Sequence, residues 1–370
     1  MRARAFRSWA AHPDAGELGI AAGQLQVLES THPLYRAGVG IYNAIQRRWP
    51  RLHHAYFNFL ELASLHRNPR RMAGKQHFVR KLREFAPDAV VSTHAHLNHG
   101  YFALVKQTSG AAVPCITYCG ELHGSYGFSR HWVNPEADLF IGAVEPTTQA
   151  AIRLGMPRER AWTGGFLLAP GFFDAGEARV HADRAAVHRE LNLDPAAFTL
   201  LLATGANAAN NHLAFLAALE SAGVRPQVIA LCGRSEPARK AVEAWAAARA
   251  AWPVRALGYT GEVPRLMRAS SAIVARPGTG TTSEAMLSGC PLIFNGLGGI
   301  MPQEAITVRF AREHGFARLI RRPHELPEQV VALRDDPGQL ARSRAMLRGA
   351  CPAGHPLDIL KRITHLAAPA

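Results

Sequence analysis

The segment 275–304, ARPGTGTTSEAMLSGCPLIFNGLGGIMPQE, carries the densest chemistry in the chain. An apolar run, SAIVA, ends in Arg276-Pro277-Gly278-Thr279-Gly280-Thr281-Thr282, and a helical pattern, SEAMLSG, follows. Gly278 and Gly280 let a ligand come close to the backbone. Free N–H groups at a helix start, with hydroxyls from Thr279, Thr281 and Thr282, suit an anion such as a diphosphate. Glu284 falls in the first turn or two of that helix, where a carboxylate can accept from both hydroxyls of a ribose. No Gly-Lys-Ser/Thr follows, so this is not a Walker loop and ATP hydrolysis is disfavoured. The same residues also suit an ordinary capped βα turn whose Glu answers the helix dipole. The continuation favours a ligand site. A second strand, PLIFNG, leads through a Gly-rich loop to Pro302-Gln303-Glu304, so two successive strand ends put polar residues on one rim of a parallel sheet.

Other clusters are less specific. STHAHLNHG holds His94, His96 and His99, but H-x-H-x-x-H without a carboxylate or Cys partner is a weak metal pattern, and ordinary loop histidines are expected. The five cysteines are irregularly spaced. They form neither a disulfide framework nor a zinc motif, so a reducing cytoplasm is the default and no metal site is expected.

The elements that must position these residues repeat a strand–turn–helix rhythm. AAGQLQVLES (21–30), PDAVVSTHAH (87–96), VPCITYCGE (113–121) and ADLFIGAVE (137–145) read as strands, the last followed by a helix with Thr147 near its cap. The rhythm restarts at FTLLLATGANAANN (198–211), RPQVIALCGR (225–234), PVRALGYTGEVPRLMRAS (253–270) and SAIVA, and closes with PLIFNG and HGFARLI. Such alternation predicts doubly wound α/β layers. The reading is an N-terminal domain over 1–163, a Gly/Pro/Phe-rich linker over 164–178, a C-terminal domain over 179–350, and a last helix over 351–370 crossing back to the first domain.

At 370 residues the chain suits two domains rather than one core. Its net charge of +14 points to anionic partners. Residues 1–87 hold 14 Lys+Arg against 5 Asp+Glu, which is +9 of that excess. Within 31–85, Tyr35, Tyr42, Trp49, Tyr56, Phe57 and Phe59 alternate with Arg36, Arg47, Arg48, Arg51, His53 and His54, in helices expected to break at Pro50 and Pro69. This pattern suits an amphipathic helix pair packed on the sheet. It equally suits an interfacial surface with aromatic bodies at headgroup level and cations on anionic phosphates. No apolar run reaches the ~18–20 residues that span a bilayer, and the start lacks a signal-peptide core. No nucleic-acid-binding motif is present, so no nucleic-acid partner is expected.

The run PGTGTTSEAM…GCPLIF…GGIMPQEAITVRFAREHGFA resembles the donor-binding region of GT-B glycosyltransferases of family 28. The likeness is to monogalactosyldiacylglycerol synthases and processive diacylglycerol glucosyltransferases, and more distantly to the lipid II N-acetylglucosaminyltransferase. PDAVVSTH, HWVNPEADLFIGA and WTGGFLLAPGFF match further family segments. The resemblance implies two Rossmann-like domains facing across a cleft and a UDP-sugar donor. Gly278, Thr279, Gly280 and Thr281 would meet the diphosphate, Glu284 the ribose, and Gln303 and Glu304 the sugar hydroxyls. Thr204, Gly205 and Asn207 would face the phosphates, and Gly258, Tyr259 and 263–267 would frame the uracil. It further implies inverting transfer without a metal or other cofactor, to a lipid acceptor such as diacylglycerol. The protein would act at an anionic membrane surface, peripheral on the inner face of the cell membrane.

This chain departs from the family in its N-terminal half. The family's opening strand and Gly-Gly-Gly-His-like loop have no counterpart, because MRARAFRSWA already reads as the helix after it. The N-terminal domain is therefore read as lacking its first strand, with a start codon placed too late preferred over true loss. Where the family has Thr-Asp, this chain has Thr117-Tyr118-Cys119-Gly120-Glu121, and Asn134 replaces a His. Glu121, at a strand end near the family's Asp, is the first candidate for general base, His94 the second and His123 the third. Alternative readings are a UDP-sugar sensor or inactive homologue, and a 2-epimerase-like enzyme of the same fold.

Overall fold

The protein, as a computed structural model, is described over residues 2–27, 32–33, 37–38, 40, 52–62, 67–69, 72–174, 176–203, 211–249 and 252–368. It divides into two compact units. One comprises Met1–Pro170, Met301–Ile306 and Pro352–Ala370, the other Gly171–Ile300 and Thr307–Cys351. Each contains one parallel sheet, as the doubly wound α/β reading expects.

The first unit's sheet is β1 (Val90–Ser92), β2 (Cys115–Cys119), β3 (Leu139–Gly142) and β4 (Ala161–Thr163), adjacent in that order. Val91 pairs with Ile116, Thr117 with Phe140 and Ile141 with Trp162. Every residue of β2 and β3 is buried, which is why CITYC and LFIG show no polar alternation. The helix Gly100–Ser109 returns the chain from β1 to β2. Its Phe102, Leu104 and Val105 join Phe78, Leu82, Phe140 and Met156 in one core. The helix Lys75–Phe85 buries only Phe78 and Leu82, four residues apart, so its cations face outward. The last helix, Pro356–Ala367, buries Ile359, Leu360 and Ile363 and starts in a capping box made by His355 and Asp358.

Two local expectations are corrected. The segment 21–26 is irregular and Val27 is helical, so the strand expected over 21–30 is absent from its described part. Its apolar residues pack instead: Val27 joins the core, and a Cβ at Gly23 would meet the Phe85 ring at 2.8 Å. Conversely, Ala161–Thr163 forms the edge strand β4, which the sequence reading placed in no element. Pro50 and the aromatics and arginines at 35, 36, 42, 47–49 and 51 lie outside the described residues.

The second unit's sheet runs β10 (Leu319–Ile320), β9 (Leu292–Asn295), β8 (Ala272–Ala275), β5 (Thr199–Ala203), β6 (Gln227–Leu231) and β7 (Val254–Leu257), all parallel. The chain enters at β5, builds outward through β6 and β7, then crosses to β8 on the other side of β5. The carboxyl ends of β5 and β8 therefore flank a topological switch point, where open α/β sheets bind ligands. Leu200, Leu202, Val228, Ala230, Val274 and Ile293 line the core with Phe215, Leu216 and Leu219.

A buried ion pair joins two helices of this unit. Asp183 on Glu177–Glu190 accepts from Arg268 Nε on Val263–Ala269 at 2.7 Å, and both residues are 4% exposed. Arg268 Nη1 also donates to the Gly171 carbonyl at 2.7 Å. No helix among the described residues is long and apolar enough to cross a membrane.

Candidate functional site

In the second unit, β8 ends at Ala275 and the helix Thr279–Ser288 starts four residues later. Gly278 is the N-cap, in extended conformation, and among the described residues no side-chain cap bond closes the helix start. Thr282 N–H bonds back to the Gly278 carbonyl. The N–H groups of Thr279, Gly280 and Thr281 thus begin the helix at its positive end without a side-chain cap, and no acidic residue occupies its first turn. A Cβ at Gly278 would meet nothing within 4 Å, so the approach is open. Glu284 lies in the second turn, 8% exposed. The Thr282 hydroxyl is buried without a hydrogen-bond partner, and Ser283 bonds to the Thr279 carbonyl at 2.7 Å.

The sequence reading assigned no task to Arg276, yet its guanidinium ties this turn to the next one. Nη1 donates to Leu297 O at 2.9 Å and Nη2 to Gly299 O at 2.8 Å. Gly298 and Gly299 adopt φ of 77° and 104°, which explains the Gly-Gly pair. Asn295, at the end of β9, accepts from Leu297 N–H at 3.0 Å and keeps its own amide nitrogen buried and unpartnered.

Gln303 and Glu304 lie in the first turn of the helix Pro302–Glu313. Glu304 Oε2 accepts from Met301 N–H at 2.9 Å, so this carboxylate caps its own helix, while Gln303 Oε1 is buried without a partner. Tyr259 is 59% exposed with the Arg234 guanidinium 4.7 Å from its ring centroid. Gly258 is half-buried beside it, whereas Leu266 and Met267 are core residues. Thr204, Gly205 and Asn207 lie outside the described residues.

In the first unit, the turns after β1 and β2 bring His94 and Glu121 to the carboxyl ends of neighbouring strands. Thr147 Oγ donates to the Glu121 carbonyl oxygen at 2.6 Å, so this threonine fixes the Glu121 turn and caps nothing. Glu121 Oε2 is enclosed without a hydrogen-bond partner. Burial raises its carboxyl from the ordinary 4.5 to about 7, against the opposing pull of the Arg2 cation. Glu145, which follows β3, is the opposite case. Bonds from Thr163 Oγ at 2.6 Å and Gln149 Nε2 at 2.6 Å hold its carboxylate below the usual range. Two carboxylates with such opposed environments suit two tasks, and only Glu121 has a proton affinity matched to base catalysis near neutrality.

His94 is less suited to that task. Its Nδ1 accepts from His96 N–H at 3.3 Å, which leaves the ring proton of the neutral form on Nε2, so it presents a donor. His96, His99 and His131 cluster behind it. His96 and His131 have ring centroids 4.9 Å apart, and burial lowers all three to about 4. His123 Nδ1 accepts from Ser125 N–H at 3.1 Å. Asn134 donates to Asn98 O at 2.6 Å and accepts from Glu136 N–H, a structural role. Among the described residues, no group of three or more His, Cys, Asp or Glu is arranged to hold a metal ion.

No family model matches the chain. Over 217 residues it is 24% identical to a processive diacylglycerol β-glucosyltransferase of Staphylococcus saprophyticus, covering 58% of this chain and 53% of that protein. Over 255 residues it is 24% identical to a probable chloroplastic monogalactosyldiacylglycerol synthase 2 of Oryza sativa subsp. indica, covering 67% and 52%. The chain thus spans about half the length of the curated relatives it matches. Among solved structures, MurG of Acinetobacter baumannii superposes with a TM-score of 0.55 at 15% identity, covering 79% of this chain and 77% of that one. The fold is GT-B, and the resemblance to the family 28 lipid glycosyltransferases is borne out.

Proposed function

We propose that the chain transfers a hexose from a UDP-sugar to a diacylglycerol-type lipid, by inverting, metal-independent displacement at a membrane surface. The observation that carries this reading is the uncapped helix start at Gly278–Thr281, on the carboxyl side of β8 and beside the switch point. A diphosphate supplies the acceptor oxygens this end lacks, and Glu284 takes the ribose hydroxyls. Gln303 and Glu304 meet the sugar, and Tyr259 with Gly258 borders the uracil.

In the reaction, Glu121 removes the proton of the acceptor hydroxyl as its oxygen attacks the anomeric carbon. The bond from that carbon to the UDP oxygen breaks, and the leaving diphosphate keeps the electron pair. Its added charge is stabilised by the helix dipole and first-turn N–H groups, the task a divalent ion performs elsewhere. Glu121 returns its proton to solvent.

Two features support the membrane setting. Leu52, Phe59 and Leu62, on and beside the helix His53–Leu62, are 52%, 65% and 76% exposed. A cavity of ≈ 500 Å³ in the same unit is lined by Arg4, Arg7, His77 and Lys81. Exposed apolar side chains and a cationic surface are the two kinds of feature that bind an anionic bilayer. The test is release of UDP from UDP-glucose or UDP-galactose with dioleoylglycerol vesicles. Hexosyl-dioleoylglycerol is the expected product. UDP binding without turnover would favour the sensor reading instead.

A further inference from the structure

We propose that Arg2 is a positioning residue for the transfer: its guanidinium joins the turn after β2 to the 164–168 segment and keeps a positive charge beside Glu121. This rests on the reading of Glu121 as base. Arg2 Nη1 donates to Leu167 O at 3.1 Å. The rest of the guanidinium lies on Gly120, between Cys119 and Glu121. A Cβ at Gly120 would stand 2.7 Å from Arg2 Nε and 3.2 Å from Cζ and Nη2. Glycine at 120 is thus what lets the cation reach the backbone there.

The helix Arg2–Ala10 is held so that Arg2 cannot drift. Trp9, two turns further on, is 2% exposed, and its Nε1 donates to Leu168 O at 2.7 Å. Arg2 and Trp9 share one face of the helix and bind successive carbonyls. Tyr118 secures the same segment from within the sheet: its hydroxyl donates to Gly165 O at 3.0 Å and accepts from Leu167 N–H at 2.8 Å. Among the described residues, Arg2 and Cys119 interact with the Glu121 carboxyl, and Tyr118 interacts in turn with Arg2 and Cys119. Burial keeps Cys119 and Tyr118 neutral, and the Arg2 charge opposes that burial at both, as it does at Glu121. Arg2 is the cation acting on all three.

Removing the charge must make Glu121 harder to ionise. Arg2→Met is expected to move the acid limb of the kcat/KM–pH profile up by roughly one unit, the low end for loss of an opposite charge at close range. At a pH on that limb, turnover falls about tenfold, and it recovers at high pH. UDP affinity, measured by calorimetry, stays at the wild-type value. Arg2→Gln is the second charge-removing variant should Met unsettle the helix, and Arg2→Lys, which keeps the charge, should leave the limb near its original place. An unmoved limb in a folded Met or Gln variant overturns the role of Arg2, as does a Lys variant that shifts as far as Met. Glu121→Gln, assayed in parallel with UDP-glucose or UDP-galactose and dioleoylglycerol vesicles, separates the two ideas. If it is inactive while the Arg2→Met limb stays put, only Arg2 loses its role; if it turns over normally, the base assignment falls with it.

Discussion

Glu121→Gln should abolish turnover and, above neutral pH, stabilise the protein. The carboxyl titrates at about 7 in the folded chain against an ordinary 4.5. The native state therefore binds a proton more tightly than the unfolded one, and stability is lost as pH rises from the unfolded value through the folded one. Between pH 5 and pH 8.5 this single group costs the wild type about 2–3 kcal/mol, at ~1.4 kcal/mol per unit of separation. Glutamine keeps the shape and does not titrate. The thermal midpoint of the variant should match or trail the wild type at pH 5 and exceed it by roughly 5 °C or more at pH 8.5. Turnover should fall ~100-fold or more throughout, as for a lost general base. Differential scanning fluorimetry across pH, with UDP-release kinetics on the same samples, reads both. A midpoint gap that does not change with pH would refute the burial argument. A pH-dependent gap with normal turnover would keep the burial and dismiss the catalytic role.

Other expectations follow from single contacts. Glu284→Ala should weaken UDP binding by about 10–100-fold in calorimetry, the worth of hydrogen bonds to a charged group, and unchanged affinity would remove the ribose role. Asp183→Ala should strip Arg268 of its buried partner and destabilise the second unit by about 3–5 kcal/mol, seen as a lowered unfolding midpoint. Phe59→Ser with Leu62→Ser removes two exposed apolar side chains worth roughly 1.5–3 kcal/mol each if fully buried. Sedimentation with anionic vesicles should drop at least tenfold, and unaltered sedimentation would place the membrane contact elsewhere. Turnover should persist in excess EDTA, and its loss with rescue by a divalent ion would contradict the metal-independent reading.

Much of the second unit is legible without coordinates. SAIVA and PLIFN are continuous apolar runs because both faces of β8 and β9 are covered, and the Gly/Thr turn between strand and helix declares itself by composition. The edge strand β4 is not legible: three half-buried residues, AWT, have no period of their own and form a strand only because β3 offers a partner. Conversely, the apolar run in 21–27 reads as strand but is irregular and helical backbone, with Val27 packed into the core. Glu121 could be nominated from its place after CITYC, but the burial of its carboxyl could not, since that comes from packing by parts of the chain distant in sequence. Arg2 meets Leu167 across 165 residues, a pairing no local pattern announces. Arg276 is, by sequence, one of many cations in a basic chain, and only its two carbonyl contacts show that it staples the Gly-rich loop.

Sugar transfer to a lipid with inversion is tested by the product of one reaction. UDP-glucose and UDP-galactose, each given with dioleoylglycerol vesicles, should yield UDP and a hexosyl-dioleoylglycerol from at least one donor. The proton coupling at the anomeric carbon should report the configuration opposite to that in the donor. A product with the donor's configuration, a free isomerised UDP-sugar, or tight UDP binding with no lipid product from either donor would contradict the account.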